Sequence, residues 1–454
     1  MNWSASLQTQ GFVREEWASR GLPFFTSAEF QHSLDRVCHR MGVSADHITH
    51  NKTNRVLLEG AQKLGWSARP VPQNTGGKQH YCGYCTLGCG SCEKQGPVVS
   101  FLPDAARAGA RFIEGFDVER ILLSATRDGK TATGVRGTWT SRDAAGGVAG
   151  PDRARRQLIV NAKRVIVAAG SMSSPLLLRR SGLANPHIGR HLHVHPVSLV
   201  GAIMPDEVRP WEGGILTAVV DELEDLDGRG HGVKLEACTM LPGTWLAFPC
   251  WTGGAAWKTL AARMKHMVGF ISLARDRRAG RVYEDGDGRC RFRYNPAAAD
   301  RRHILEGVVG LAKISYLAGA AHIFTVIPGV PVFERGPAPA AGEADHGVND
   351  PRFQSWLREI RAKGLGDPDV TFVSAHQMGS CRMGASPAAG AVDPRGRVWE
   401  AAGLYVADAS VFPSASGVNP MVTNMAIADW ISRGVGRGLR RGDDDGAAGE
   451  GARL

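Results

Sequence analysis

The chain reads as an α/β unit combined with an α+β unit, and three features of the sequence predict this. Residues 99–200 alternate strand-like and helix-like runs. Residues 201–372 carry short β-rich runs separated by turn signals such as Asp287-Gly288, which predict an antiparallel sheet. From 373 to 433 the α/β character returns and ends in a strand over 403–408 and a helix over 421–432.

Taken in order, residues 1–98 form a cap or substrate-side segment. Helices are predicted at 27–40, with Ser27 as N-cap and Glu29 in the first turn, and at 53–64. In the 99–200 unit, residues 111–123 carry strand-like runs. Residues 153–167 read as one strand ending in Ala168, Ala169 and Gly170. The 201–372 unit takes strands at 232–239, 268–275, 281–283 and 289–294 and helices at 256–265 and 299–317. The apolar window 307–333 is broken by Lys313, His322, Pro328 and Pro331, so it reads as buried helix and strand rather than a membrane span. Residues 335–350 read as a Pro/Ala/Gly loop, and 434–454, rich in Gly, Arg and Asp, as a disordered tail.

Composition narrows the function classes. The chain has 454 residues, 43% of them hydrophobic and 22% charged, enough for a large core and more than one domain. A net charge of +10 comes from scattered Arg without interleaved aromatics, so a nucleic-acid partner is not expected. No signal peptide and no apolar run of about twenty residues is visible, which predicts a cytoplasmic protein; membrane association without a transmembrane segment is compatible with this. Nine Cys, four of them in C-x2-C-x3-C-x2-C at Cys82, Cys85, Cys89 and Cys92, do not form an extracellular disulfide pattern. That cluster reads either as a compact metal site or as a buried Gly/Cys turn. The turn is the preferred reading, and no metal ligand is assigned.

Two segments carry chemistry. In GLYVADASVFPSASGVNPMVTNMAIADWI an apolar strand ends at Asp408 and Ala409, and a loop of small residues follows. Asn419 and Pro420 then open a helix at Met421. The free N–H groups and positive end of such a helix suit an electron-rich ring or an oxyanion. Upstream, SAHQMGSCRMG places His376 beside a Gly-rich loop, where an imidazole can take a proton near neutral pH. His193 and His195 alternate as on a strand and read as structural or cavity-lining.

These two segments resemble the C-terminal signature of the glucose-methanol-choline (GMC) flavoenzymes, and GSMSSPLLLRRSGLANP at 170–186 resembles the family's second signature, departing at Ala184. The resemblance implies a Rossmann-like FAD-binding domain with a substrate domain built on an antiparallel sheet flanked by helices. It implies His376 and Asn419 as the catalytic pair, and FAD contacts from Asn2, Val118, Ala169, Gly170, Ser174, Asp408, Ala409, Pro420 and Met421. Val118 would meet the adenine through its backbone. NWSAS at 2–6 and HYCGYCTLGC at 80–89 resemble the long-chain alcohol oxidase branch. The implied reaction is oxidation of a long-chain primary alcohol to the aldehyde by hydride transfer to flavin, with oxygen or another electron acceptor closing the cycle. The apolar segments 241–251, 257–260 and 314–324 are the expected walls of a long pocket. Such a protein begins with a strand and a G-x-G-x-x-G turn, and no such motif occurs in these residues. The first βαβ unit is therefore expected to be absent, and the chain as written to dissolve poorly and hold little FAD. A non-catalytic remnant, and a family member acting on sterol, choline or sugar, stay open as alternatives.

Overall fold

A computed structural model describes residues 5–127, 129–337, 346–366 and 368–441. Helices α1 (Gly11–Ser19), α2 (Ala28–Met41) and α3 (Lys52–Lys63) open the chain and lead to strand β1 (Ala68–Pro70). Strands β2 (Phe116–Thr126), β3 (Gly129–Thr140), β4 (Arg155–Asn161) and β5 (Val165–Val167) precede helix α4 (Gly170–Arg180). Next come β6 (Val197–Ile203), β7 (Ala218–Val220), β8 (Val233–Ala237), α5 (Gly254–Ala262), β9 (Met267–Ala274), β10 (Gly280–Glu284) and β11 (Cys290–Arg293). The chain continues through α6 (Ala298–Leu317), β12 (His322–Thr325), β13 (Phe333–Glu334), α7 (Pro351–Lys363), β14 (Leu404–Val406) and α8 (Met421–Arg441).

Helix α2 shows why these residues fold as they do. Ser27 caps it, its Oγ accepting from the Phe30 amide, and Gly42 closes it in the left-handed region at φ 56°. Phe30, Leu34, Val37 and Met41 fall on one stripe and are buried. That stripe joins a core with Trp17, Phe25, Phe412 and the buried face of α8, and Arg36 pairs with Asp429 across the helix pair at 2.5 Å.

The second core lies on a seven-stranded antiparallel sheet of order β13-β12-β6-β9-β8-β7-β1. Strand alternation splits its faces. Val233, Leu235 and Ala237 of β8 pack into a cluster with buried residues of α3 and α6. Lys234 and Glu236 point the other way, the face on which the loop before α8 lies. Gly60 makes the close crossing of the two covering helices: a Cβ there would stand 2.6 Å from Ile314 Cγ2.

On the α/β side β2, β3 and β4 form an antiparallel meander, with Ala401–Ala402 running parallel to β3. Strands β5 and β14 form a parallel pair. Both therefore deliver their carboxyl ends, and the loops that follow, to the same place.

Several sequence expectations change. The single strand at 153–167 is two, divided at 162–164, because its first half pairs with β3 and its second with β14. The strand after 111 begins only at Phe116, beyond Gly115 at φ 68°. Helix α8 runs to Arg441, so residues 434–441 of the expected disordered tail are helical; 442–454 lie outside the described residues. Helix α7 was not anticipated. Asp350 caps it by accepting from the Phe353 amide, and Pro351 takes its first position.

Candidate active site

The parallel ends of β5 and β14 set one half of the site. The Ala407 amide donates to Val167 O at 2.9 Å, extending the pair beyond the strands. Asp408 then ties the two loops together. Its Oδ2 accepts from the Gly170 amide at 2.8 Å and from Ser174 Oγ, and its Oδ1 accepts from the Ser410 amide at 2.8 Å. The Ala169 amide donates to Ser174 Oγ at 3.1 Å. Ala169, Gly170, Ser174, Asp408 and Ala409 are thus brought into one group. Asp408 is spent on organising it, which leaves backbone and small side chains facing outward: Ala168 and Ala169 are exposed. Val118 is half-buried at an irregularity of β2, the strand against which α4 packs. Asn2 lies outside the described residues.

The second half is the loop carrying His376. Backbone bridges pair Val373 with Val197 and Met378 with His193, and the Gly379 amide donates to Ala409 O at 3.0 Å. The His376 amide donates to Ser374 Oγ at 3.1 Å. This fastening sets the His376 ring perpendicular to that of His195, with the two Nδ1 atoms 3.1 Å apart.

His195 is fully buried and left-handed at φ 49°. Asp276 holds it there: its Oδ1 accepts from the His195 amide at 3.0 Å, and its Oδ2 from His193 Nδ1, the Val194 amide and Tyr294 Oη. Burial pushes the Asp276 carboxyl up, but the neighbouring His193 and its hydrogen bond, then His195 and its amide, bring it below the usual carboxylate range.

The pair's proton positions follow from one contact. The Gly417 amide donates to His195 Nε2 at 3.0 Å, so neutral His195 carries its proton on Nδ1 and directs it at His376 Nδ1. His376 then carries its own proton on Nε2. Burial pushes His376 down to about 4 and His195 well below its ordinary value, the latter helped by His376, so both rings are neutral near pH 7.

Gly417 belongs to the small-residue loop and adopts φ 70°. Arg275 holds this loop by donating from Nε to Ala415 O at 2.9 Å, while Ser414 Oγ accepts from Trp17 Nε1 at 2.8 Å and bonds Glu16 at 3.0 Å. Two residues beyond Gly417, Asn419 Nδ2 donates to Glu236 Oε2 at 3.3 Å. Pro420 and Met421 follow at the start of α8, whose first-turn amides have no intrahelical acceptor. His376 and Asn419 are therefore joined through His195 and the Gly417 amide.

Sequence reasoning missed Glu236, Asp276 and Arg275; His195, read as structural or cavity-lining, stands between His376 and the Gly417 amide. The alternation of Lys234 and Glu236 in an otherwise apolar strand was a signal that two ionisable groups share one face. At the Cys-rich turn, Cys85 is buried, and a Cβ on Gly83 would meet Trp211 O at 1.9 Å. Among the described residues no group of three or more His, Cys, Asp or Glu is placed to hold a metal ion. No described helix is long and apolar enough to cross a membrane.

The N-terminal GMC oxidoreductase profile matches residues 1–197 and the C-terminal one residues 264–428, and the chain belongs to the GMC oxidoreductase family, whose cofactor is FAD. It is 32% identical over 442 residues to the long-chain-alcohol oxidase FAO4B of Arabidopsis thaliana, covering 95% of this chain and 56% of the relative. It is also 32% identical over 379 residues to an uncharacterized GMC-type oxidoreductase of Mycobacterium tuberculosis, covering 83% of this chain and 53% of the relative. The chain spans little more than half the length of the curated relatives it matches. It shares its fold with pyridoxine 4-oxidase from Mesorbium loti (TM-score 0.57, 17% identity, 87% of this chain and 71% of that one). Formate oxidase of Aspergillus oryzae RIB40 is a second such structure (TM-score 0.58, 15% identity, 87% and 72%).

The residues present fit a flavin. Among the described residues Asn419 Oδ1 and Glu236 Oε1 are buried without partners, the first-turn amides of α8 have no intrahelical acceptor, and a Cβ on Gly170 would meet open space.

Proposed function

We propose that this chain is the catalytic part of an FAD-dependent oxidase that converts a long-chain primary alcohol to its aldehyde. The observation that carries the reading is the link from His376 through His195 and Gly417 to the loop of Asn419. When bound, FAD supplies the two-electron acceptor for the hydride leaving the alcohol carbon. The names of the curated relatives support a long-chain alcohol as substrate and oxygen as final acceptor. The segment boundaries read from the sequence belong to the same proposal.

In this reading His376 takes the hydroxyl proton at Nε2 and Asn419 holds the substrate oxygen by donating a hydrogen bond. For His376 to accept there, the proton shared with His195 must sit on His376 Nδ1. His195 then turns an N–H at the Gly417 amide and loses that hydrogen bond, a cost of about 1–3 kcal/mol. Alanine at His376 is expected to slow flavin reduction by decanol about two to four orders of magnitude in the FAD-loaded protein. Stopped-flow absorbance measures this directly, and an unchanged rate removes His376 from the mechanism.

A further inference from the structure

Strand β8 presents Lys234 and Glu236 to the site. Lys234 is accounted for: its Nζ donates to Glu224 at 2.7 Å and to Gln10 Oε1 at 2.9 Å. Glu236 is not. It is wholly buried, and its cross-strand neighbours are Val219 of β7 and Ile271 of β9. Its carboxyl and the Asn419 amide are joined by a single hydrogen bond of 3.3 Å. Beyond it lie two buried acceptors without partners among the described residues, Glu236 Oε1 and Asn419 Oδ1.

A proton on Glu236 and a turned amide give one of these acceptors, Asn419 Oδ1, a donor. The two orientations of an asparagine amide are nearly isosteric. With the amide turned over, Glu236 donates its O–H to Asn419 Oδ1, and the Asn419 NH2 faces away from the strand, toward the substrate side. We propose that Glu236 is a positioning residue whose proton sets the Asn419 amide with its NH2 toward the substrate oxygen, and whose ionisation turns the amide oxygen there instead. The proton is exchanged with solvent and is not consumed in turnover. The proposal rests on the reading of Asn419 as the residue that holds the substrate oxygen.

The surroundings put this switch in the working pH range. Burial pushes the Glu236 carboxyl up to about 7, against the opposing pull of the Asn419 hydrogen bond and of Lys234. Other ionisable groups facing this side are Glu224 and Arg275 along the sheet, Cys238 two residues beyond Glu236, Cys85 in the cluster of Val219 and Val418, both thiols pushed up by burial, and His195 and His376 beyond Gly417. Strands β7 and β9 and the loop 414–420 bring none.

The test compares Glu236→Gln and Glu236→Leu in the FAD-loaded protein across pH. Glutamine donates to Asn419 Oδ1 at every pH. E236Q is therefore expected to keep flavin reduction within about threefold of wild type at pH 6 and to lose the decline that wild type shows as pH rises through about 7. E236L is expected to be slower by about tenfold or more throughout. Thermal melting without alcohol gives a second reading. A carboxyl raised in the folded state costs stability as pH climbs from 4.5 to about 7, so the E236Q melting temperature should match wild type at pH 4.5 and exceed it at pH 8. An alkaline decline retained in E236Q, or a melting difference that ignores pH, overturns the proposal. Asn419→Ala separates it from the reading beneath it: an unchanged rate in N419A refutes that reading, whereas a large loss in N419A with wild-type pH behaviour in E236Q refutes the proposal alone.

Discussion

At the scale of single residues the two facing histidines of the site, His376 and His195, are kept neutral by burial. His376 falls from its usual 6.5 to about 4 because its charged form would lose water. The unfolded chain therefore binds more protons than the native one between those values, and stability is lost as pH falls from 6.5 toward 4. At 1.36 kcal/mol per pKa unit the His376 share is at most about 3 kcal/mol. His195 adds in the same direction. Urea unfolding at pH 7 and pH 4.5 is expected to show a smaller acid loss in His376→Gln than in wild type. Equal losses would mean that the imidazole is already protonated in the native protein. His376 and Asn419 could be singled out as candidates because each sits in a short motif that resembles the family signature. Glu236 was not, since its meaning depends on Asn419, 183 residues away in sequence.

At the scale of elements, legibility followed local chemistry. Helix α2 could be read from Ser27 and an apolar stripe, and the hairpin β10–β11 from its Asp-Gly turn, Gly288 lying at φ 75°. Strand β6 escaped because all seven of its residues are buried, one face against α6 and the other against an apolar cluster, which erases the alternation that marks a strand. Gly60 gives a prediction that local propensity gets wrong. In a lone helix Gly60→Ala would gain about 1 kcal/mol. Here the methyl would stand 2.6 Å from Ile314 Cγ2 and 2.8 Å from Ile314 O, and the backbone oxygen cannot step aside as a side chain can. Overpacking of this kind costs about 1–3 kcal/mol, so the balance is destabilising, and calorimetry should show a lower melting temperature for G60A. A higher one would mean that α3 and α6 stand further apart.

At the scale of the whole molecule the seven-stranded sheet divides the labour between its faces. One face is closed by α3 and α6. The other carries an apolar cluster of Leu199, Ile203, Met240, Trp245, Met264 and Phe324 that reaches Ile271 and Val373, the latter three residues before His376. Of the wall segments expected from the sequence, 241–251 and 257–260 contribute here, and 314–324 does so through Phe324, while Ile314 and Tyr316 lie on the helix-covered face. The cluster is filled by its own side chains, with Trp245 only 1% exposed, so an alkyl chain enters only by displacing part of the cover. Helix α5 is the part least committed to the core, burying none of its side chains. An alcohol long enough to replace those contacts recovers apolar burial as it enters, up to about 0.8 kcal/mol per methylene, or roughly fourfold in kcat/KM per carbon. Hexanol, octanol and decanol are therefore expected to form a rising series in the FAD-loaded protein, while glucose and choline, which offer no alkyl chain to the cluster, stay far below. A flat series, or glucose or choline preferred over decanol, would mean that the cluster is structural core and that the substrate reaches His376 by another route.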